Sequence, residues 1–279
     1  MDDRAAASAV DPGPDTAAAR PSPAPRRRSR LLVLGAALLV VIGAIAYLVT
    51  NHHSSSAPTA TTPPTTTVPD ATIVAAVNLR LSDLPPGWAT AGPTVPAIHF
   101  APAPPATTTQ ALTTLSACLG VPTASAAGLC AGAALPGQTA GATSPTYAQS
   151  ADPEIQMHSV TATIGTEAQA QTYAAPFENA DFVACYGQFQ RTLAAAAVPG
   201  ASATVEAVTL PPPAGVKAFG YITTVTSSHG TEVFGQAYML GGRIVSDLMP
   251  ATNGPQIPGA DFTRAYDAMG GEIAANAQK

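Results

Sequence analysis

Polar and apolar positions change character three times along the chain. Residues 1–30, "MDDRAAASAVDPGPDTAAARPSPAPRRRSR", carry almost no large apolar side chains. Such a stretch cannot bury a core, so a disordered tail is expected. Residues 31–50, "LLVLGAALLVVIGAIAYLVT", are twenty positions without a charge. At a rise of about 1.5 Å per residue they make a helix of roughly 30 Å, the thickness of a bilayer core. Residues 51–72 open with "NHHSSSAPTATTPPTTTVPD", a Thr/Pro/Ser stretch that reads as an extended linker.

From Ile73 onward the pattern is that of a folded domain. "IVAAVNLRLSDLPPGWAT" places apolar residues before a Pro-Pro-Gly turn and the only tryptophan, Trp88. A proline-rich stretch over 93–106 is expected to lie along the surface. Leu112, Leu115 and Leu119 recur at helical spacing and Gly120 follows, which predicts a helix over 107–120. Residues 121–142 show no period and read as a loop. "IQMHSVTATI" (155–164) alternates and is rich in β-branched residues, so a strand is predicted. A short and a longer helix follow, the second with Phe182, Cys185 and Phe189 on one face. "ATVEAVTL", "VKAFGYITTVTS", "TEVFGQAYML" and "GRIVSDLMP" read as four strands. The turns "SSHGT" and "GG" would join them into antiparallel hairpins. A final helix would turn Phe262, Ala265, Tyr266 and Met269 inward. The expected fold is α+β, with an antiparallel β-meander packed against helices, over 73–279.

Charge adds topology to this pattern. Residues 1–50 hold six arginines and four aspartates, net +2; residues 51–279 hold six Lys+Arg and thirteen Asp+Glu, net −7. Arg26, Arg27, Arg28 and Arg30 abut the apolar run, and positive charge is retained on the cytoplasmic side. Residues 31–50 are therefore expected to be a transmembrane helix, with 1–30 cytoplasmic and 73–279 extracytoplasmic. The rival reading is a cleavable signal peptide ending at "AIA" (44–46), but the apolar run continues past it. An acidic domain with few basic residues is a poor partner for nucleic acid, which requires clustered Lys and Arg.

The three cysteines are Cys118, Cys130 and Cys185. A nucleophilic cysteine needs a neighbouring base, and no spacing ties His99, His158 or His229 to any of them. Zinc needs a tight ligand pair that these positions lack, and His52 and His53 are two adjacent residues in the linker. Neither "HSV" nor "SSHG" is a hydrolase elbow. Asp152/Glu154 and Glu178/Asp181 are carboxylate pairs at element ends, where acids act as caps. No cofactor is expected and no catalysis. A disulfide is expected in an oxidising compartment. Cys118 and Cys185 are both helix-borne and expected to be semi-buried. Their bridge is the favoured pairing, with 130–185, 118–130 and no bridge left open.

"LRLSDLPPGW", "ACLG", "SPTYAQS", "HSVTATI" and "EAQAQTYAAPFENADFVACYGQF", in that order, resemble a known group. These are the membrane- or lipid-anchored exported sensor-like domains of mycobacteria and other actinobacteria. They include the extracellular domains of mycobacterial receptor Ser/Thr kinases, with a PsbP/Mog1-like α+β fold. The resemblance implies a non-enzymatic module of the cell envelope that binds a ligand, apolar or lipid-like, or an envelope protein partner. This chain departs from the kinase sensors in having no kinase domain, and three cysteines where they use four. The alternative function is a scaffold for envelope or secretion components; a third is an envelope hydrolase.

Overall fold

The computed structural model describes residues 68–91, 103, 105–128, 135–254 and 259–279. All of them lie in one compact unit, 60–279. The expected tail, transmembrane helix and most of the linker lie outside the described residues, as do Cys130, His52, His53 and His99. Among the described residues, no helix is long and apolar enough to cross a membrane.

The described elements begin with α1 (Asp70–Val77), a 3-10 turn (Leu81–Asp83) and β1 (Trp88–Thr90). Then come α2 (Pro105–Leu119), α3 (Thr123–Gly128), β2 (Gln138–Thr143), β3 (Tyr147–Gln149) and β4 (Gln156–Ile164). Three helices follow, α4 (Glu167–Thr172), α5 (Ala175–Glu178) and α6 (Phe182–Ala197). The chain closes with β5 (Ser202–Val208), β6 (Lys217–Ser227), β7 (Gly230–Gly241), β8 (Ile244–Thr252) and α7 (Gly259–Asn276). The eight strands form a single sheet in the order β1-β3-β4-β8-β7-β6-β5, with β2 also on the β4 edge. Every pairing is antiparallel. The α+β class and the β5–β8 meander are those the sequence predicts.

Helices cover both faces of the sheet. On one face α2, α4, α5 and α6 bury Leu115, Tyr173, Phe177, Phe182 and Phe189 against Tyr221, Tyr238 and Val245. On the other, α1 and α7 bury Ile73, Val77, Tyr266 and Met269 against Met157, Met239, Ile244 and Leu248. β8 lies between the two cores, and all nine of its residues are buried. A strand covered on both sides reads as a nearly continuous apolar run, as "IVSDLM" does.

Two segments depart from expectation. Residues 121–142 are not a plain loop, since they contain α3 and β2. In α3 the amides of Ser125 and Ala126 bond to the Pro122 carbonyl and Ala126 is buried, so the Ala-rich stretch closes a helical turn. In β2 the small residues "QTAGAT" have no apolar alternation; pairing along Val160–Ile164 of β4 makes them a strand. Tertiary pairing overrides local propensity here.

Specific side chains set the register between layers. Asn78, just past α1, accepts from Ser159 Oγ at 2.6 Å and Thr161 Oγ1 at 3.2 Å, and Ser159 Oγ accepts the Leu79 amide at 2.9 Å. At the start of α1, Asp70 forms a bidentate pair with Arg243 at 2.7 and 3.2 Å. Arg243 follows Gly242, whose φ of +54° suits the two-residue β7–β8 turn. A side chain at Gly242 would also drive into the Ala277 carbonyl, so this glycine is required twice over.

Cys118 of α2 and Cys185 of α6 are joined, with Cα atoms 5.8 Å apart and a sequence separation of 67. Cys185 is buried. Cys118 is exposed rather than semi-buried, because Leu115 and Leu119 occupy the inward face of α2 and leave it on the outer flank. Closing a loop of this length stabilises by roughly 4 kcal/mol in the chain-entropy model. Replacing both cysteines by serine is expected to lower stability by about that amount in denaturant unfolding, and reductant should have no further effect on the double variant.

Candidate functional site

The residues singled out in the sequence take structural places. His229 is exposed in the β6–β7 turn, its amide bonded to Ser227 Oγ at 3.0 Å. His158 stands on β4, opposite Met249 of β8. Asp152 accepts the Glu154 amide at 3.1 Å in a turn, and Glu178 makes an exposed ion pair with Lys217 at 2.8 Å. The Asp181 amide bonds to Asn179 Oδ1 at 2.9 Å ahead of α6. These positions are scattered; among the described candidates, the side chains that the structure joins are those of Cys118 and Cys185. Among the described residues, no three His, Cys, Asp or Glu are grouped to hold a metal.

A cleft of about 520 Å³ opens at the end of the sheet where β6 begins and β7 ends. Pro212, Pro213, Val216 and Leu240 supply apolar walls, and Glu167, Gln171 and Lys217 a polar rim. Its proline wall is held from behind. Tyr266 of α7 donates to the Pro211 carbonyl at 2.9 Å, and Gly270 of α7 packs where any Cβ would strike the Pro213 ring. The Val216 amide closes the turn on the Pro213 carbonyl at 3.0 Å. A groove between sheet and helices would be the other natural place for a ligand. On the α6 side that space is filled by rings: Phe177 lies 4.3 to 5.8 Å, centre to centre, from Tyr238, Phe182, Phe219 and Tyr221.

Beneath α6 lies a second polar feature. Tyr186 of α6 donates to Gln236 Oε1 of β7 at 2.9 Å, and Gln236 Nε2 donates to Asp247 Oδ2 of β8 at 3.3 Å. Asp247 is fully buried, and its Oδ1 has no hydrogen-bond partner. It sits opposite Val160 of β4 and Tyr238 of β7. Burial pushes its carboxyl from the ordinary 3.8 up to about 7, opposed only by the Gln236 hydrogen bond. Burial likewise raises Glu232, farther along β7, whose Oε2 is unpartnered, and lifts Tyr221 to about 12. By contrast, the hydrogen bonds from Arg243 hold Asp70 below its ordinary value. Sequence reading passed over Asp247, Gln236 and Tyr186. The available signal was a lone acid within the apolar run Ile244–Met249, where an unpaired carboxylate is costly.

The fold and these features define an α+β domain with an antiparallel sheet between helical layers, and relatives add little. No family model matches the chain, and no curated protein does. Among solved structures, the extracellular domain of PknH from Mycobacterium tuberculosis matches at 12% identity with a TM-score of 0.30. The match spans 51% of this chain and 66% of that one. A likeness this slight decides neither fold nor function.

Asp247 has a consequence for stability. Its folded-state pKa lies above the unfolded 3.8, so unfolding releases a proton between about 4 and 7. The cost of ionisation is absent below that window and complete above it. Stability should therefore fall by up to about 4 kcal/mol as pH rises through the window. Asp247→Asn is expected to flatten the decline and to be more stable than wild type at pH 8, measured by thermal melts from pH 4 to 8.

Proposed function

We propose that this chain is a single-pass, membrane-anchored extracytoplasmic module of a cell envelope that binds an apolar or amphipathic, lipid-like ligand without catalysis. The observation that carries the reading is the cleft at the end of the sheet. Its volume lies in the range typical of ligand sites, and its walls are apolar with a polar rim. Tyr266 and Gly270 brace the proline wall, so little ordering is needed on binding. Export is supported by the Arg26–Arg30 cluster ahead of the uncharged run 31–50, and by a disulfide that suits an oxidising compartment. The turn role of Asp152 and the ion pair of Glu178 favour a non-catalytic domain.

A second reading, a scaffold for envelope or secretion components, is favoured by β5. This seven-residue strand is one edge of the sheet among the described strands, pairs with β6 without a bulge, and carries one charge, Glu206. Unguarded edges recruit strands from other chains.

Native mass spectrometry of the full chain, purified from membranes in detergent, separates the two. Retained lipid supports the ligand reading. An empty protein that captures a partner, and loses it on a Thr204→Pro change in β5, supports the scaffold. Ala214 is exposed at the cleft, so Ala214→Trp should fill the cleft without unfolding the domain. It is expected to weaken lipid retention at least about tenfold, or 1.4 kcal/mol.

A further inference from the structure

A buried acid with one free oxygen stands at the end of a hydrogen-bonded chain that leads to a helix. Tyr186 Oη, Gln236 and Asp247 link α6 to the central strands at 2.9 and 3.3 Å. We propose that these three residues form a proton-operated latch: neutral Asp247 keeps α6 seated on the sheet, and its ionisation, with the proton released to solvent, loosens the helix.

The chemistry around Asp247 sets the sign. As a neutral acid it leaves at most one hydrogen bond unmade at Oδ1, a modest cost. As a carboxylate in the same place it is a buried charge with one donor, which costs far more. The relief available is water, and α6 with its ring layer stands between Asp247 and solvent on that face.

The groups that face Asp247 leave this sign unchanged. From β7 come Gln236 and Tyr238, from β6 Tyr221, from α6 Tyr186, and from β4 His158, one pleat from Val160. α2 has no acidic or basic side chain. Arg191 of α6 lies one turn beyond Gly187, beside Val205 of β5, and the hydrogen bond Asp247 receives comes from neutral Gln236. Glu178 and Lys217 pair with each other at the end of the sheet.

Movement of α6 would not stay local. Cys185 precedes Tyr186 in the chain and is bonded to Cys118, so α2 is tied to whatever α6 does. The ring of Phe182 stacks on Tyr186 at 5.3 Å, so the aromatic layer is tied as well. The latch adds a response to protons to the proposed extracytoplasmic module, and rests on that reading only for its purpose.

Hydrogen exchange of the full chain in detergent micelles from pH 5 to 8, read as protection factors of peptides within 182–197, tests it without any ligand. Protection in α6 is expected to fall about tenfold per pH unit up to about 7, where Asp247 is half ionised, and to level off above. Asp247→Asn should remove the slope. Tyr186→Phe should lower α6 protection at pH 5 toward the wild-type value at pH 8. A flat wild-type profile, a slope that survives in Asp247→Asn, or unchanged protection at pH 5 in Tyr186→Phe overturns the latch. Since no lipid is scored, the latch can fail while lipid retention succeeds, and the reverse.

Discussion

The most demanding place in the molecule is β8, whose nine residues are buried between two helical layers. A strand in that position cannot leave polar atoms to water, so each must find a partner inside. Ser246 and Asp247 are adjacent and point to opposite faces. Ser246 shares a hydrogen bond with Thr161 at 2.8 Å and donates toward the Val160 carbonyl at 3.3 Å, within the Asn78 network that fastens α1. Asp247 has one oxygen bonded and one left over. One face of β8 is thus a satisfied anchor, and the other holds stored electrostatic cost beneath α6.

The two helical layers answer different needs. On the α1–α7 side, charged pairs at the rim fix position: Asp70 with Arg243, Arg80 with Asp83 and Glu272, and Asp261 accepting from Trp88 and Gln149. On the α6 side the contacts are chiefly rings, with one disulfide, the Tyr186–Gln236 bond beneath α6 and an exposed Glu178–Lys217 pair at the end of the sheet. Stacked aromatics resist separation through area and shape but tolerate sliding better than a bidentate ion pair does. The α6 layer is therefore the one a change at Asp247 can shift, and the α1–α7 layer is the frame, which also braces the cleft wall at Pro211–Pro213.

Elements with strong periodicity were legible in the sequence. Strands β5 to β8 show alternation or apolar continuity and short turns, and α6 and α7 show apolar residues three and four apart. Others were not. "IVAAV" is too short to distinguish helix from strand, and became α1 with Asp70 tied to Arg243, 173 residues away. "QTAGAT" has no apolar signal and is a strand only because β4 offers an edge. The Cys118–Cys185 bridge could be favoured because both cysteines fell on predicted helices, although the exposure of Cys118 depended on how α2 rolls onto its neighbours. The Asp247 chain was invisible for a different reason. Its cost exists only once both faces of β8 are covered, and coverage is a property of packing rather than of the local sequence.

Both the pH-dependent stability and the latch depend on the burial of Asp247 at the centre of the sheet. Its side-chain carboxyl can be followed directly by carbon-13 NMR in residues 60–279, from pH 3 to 9. A single titration with a midpoint near 7 is the expected result. A midpoint near the unperturbed value of about 4 would mean that the carboxylate is hydrated or paired in the folded protein, and would contradict a buried, uncompensated acid under α6.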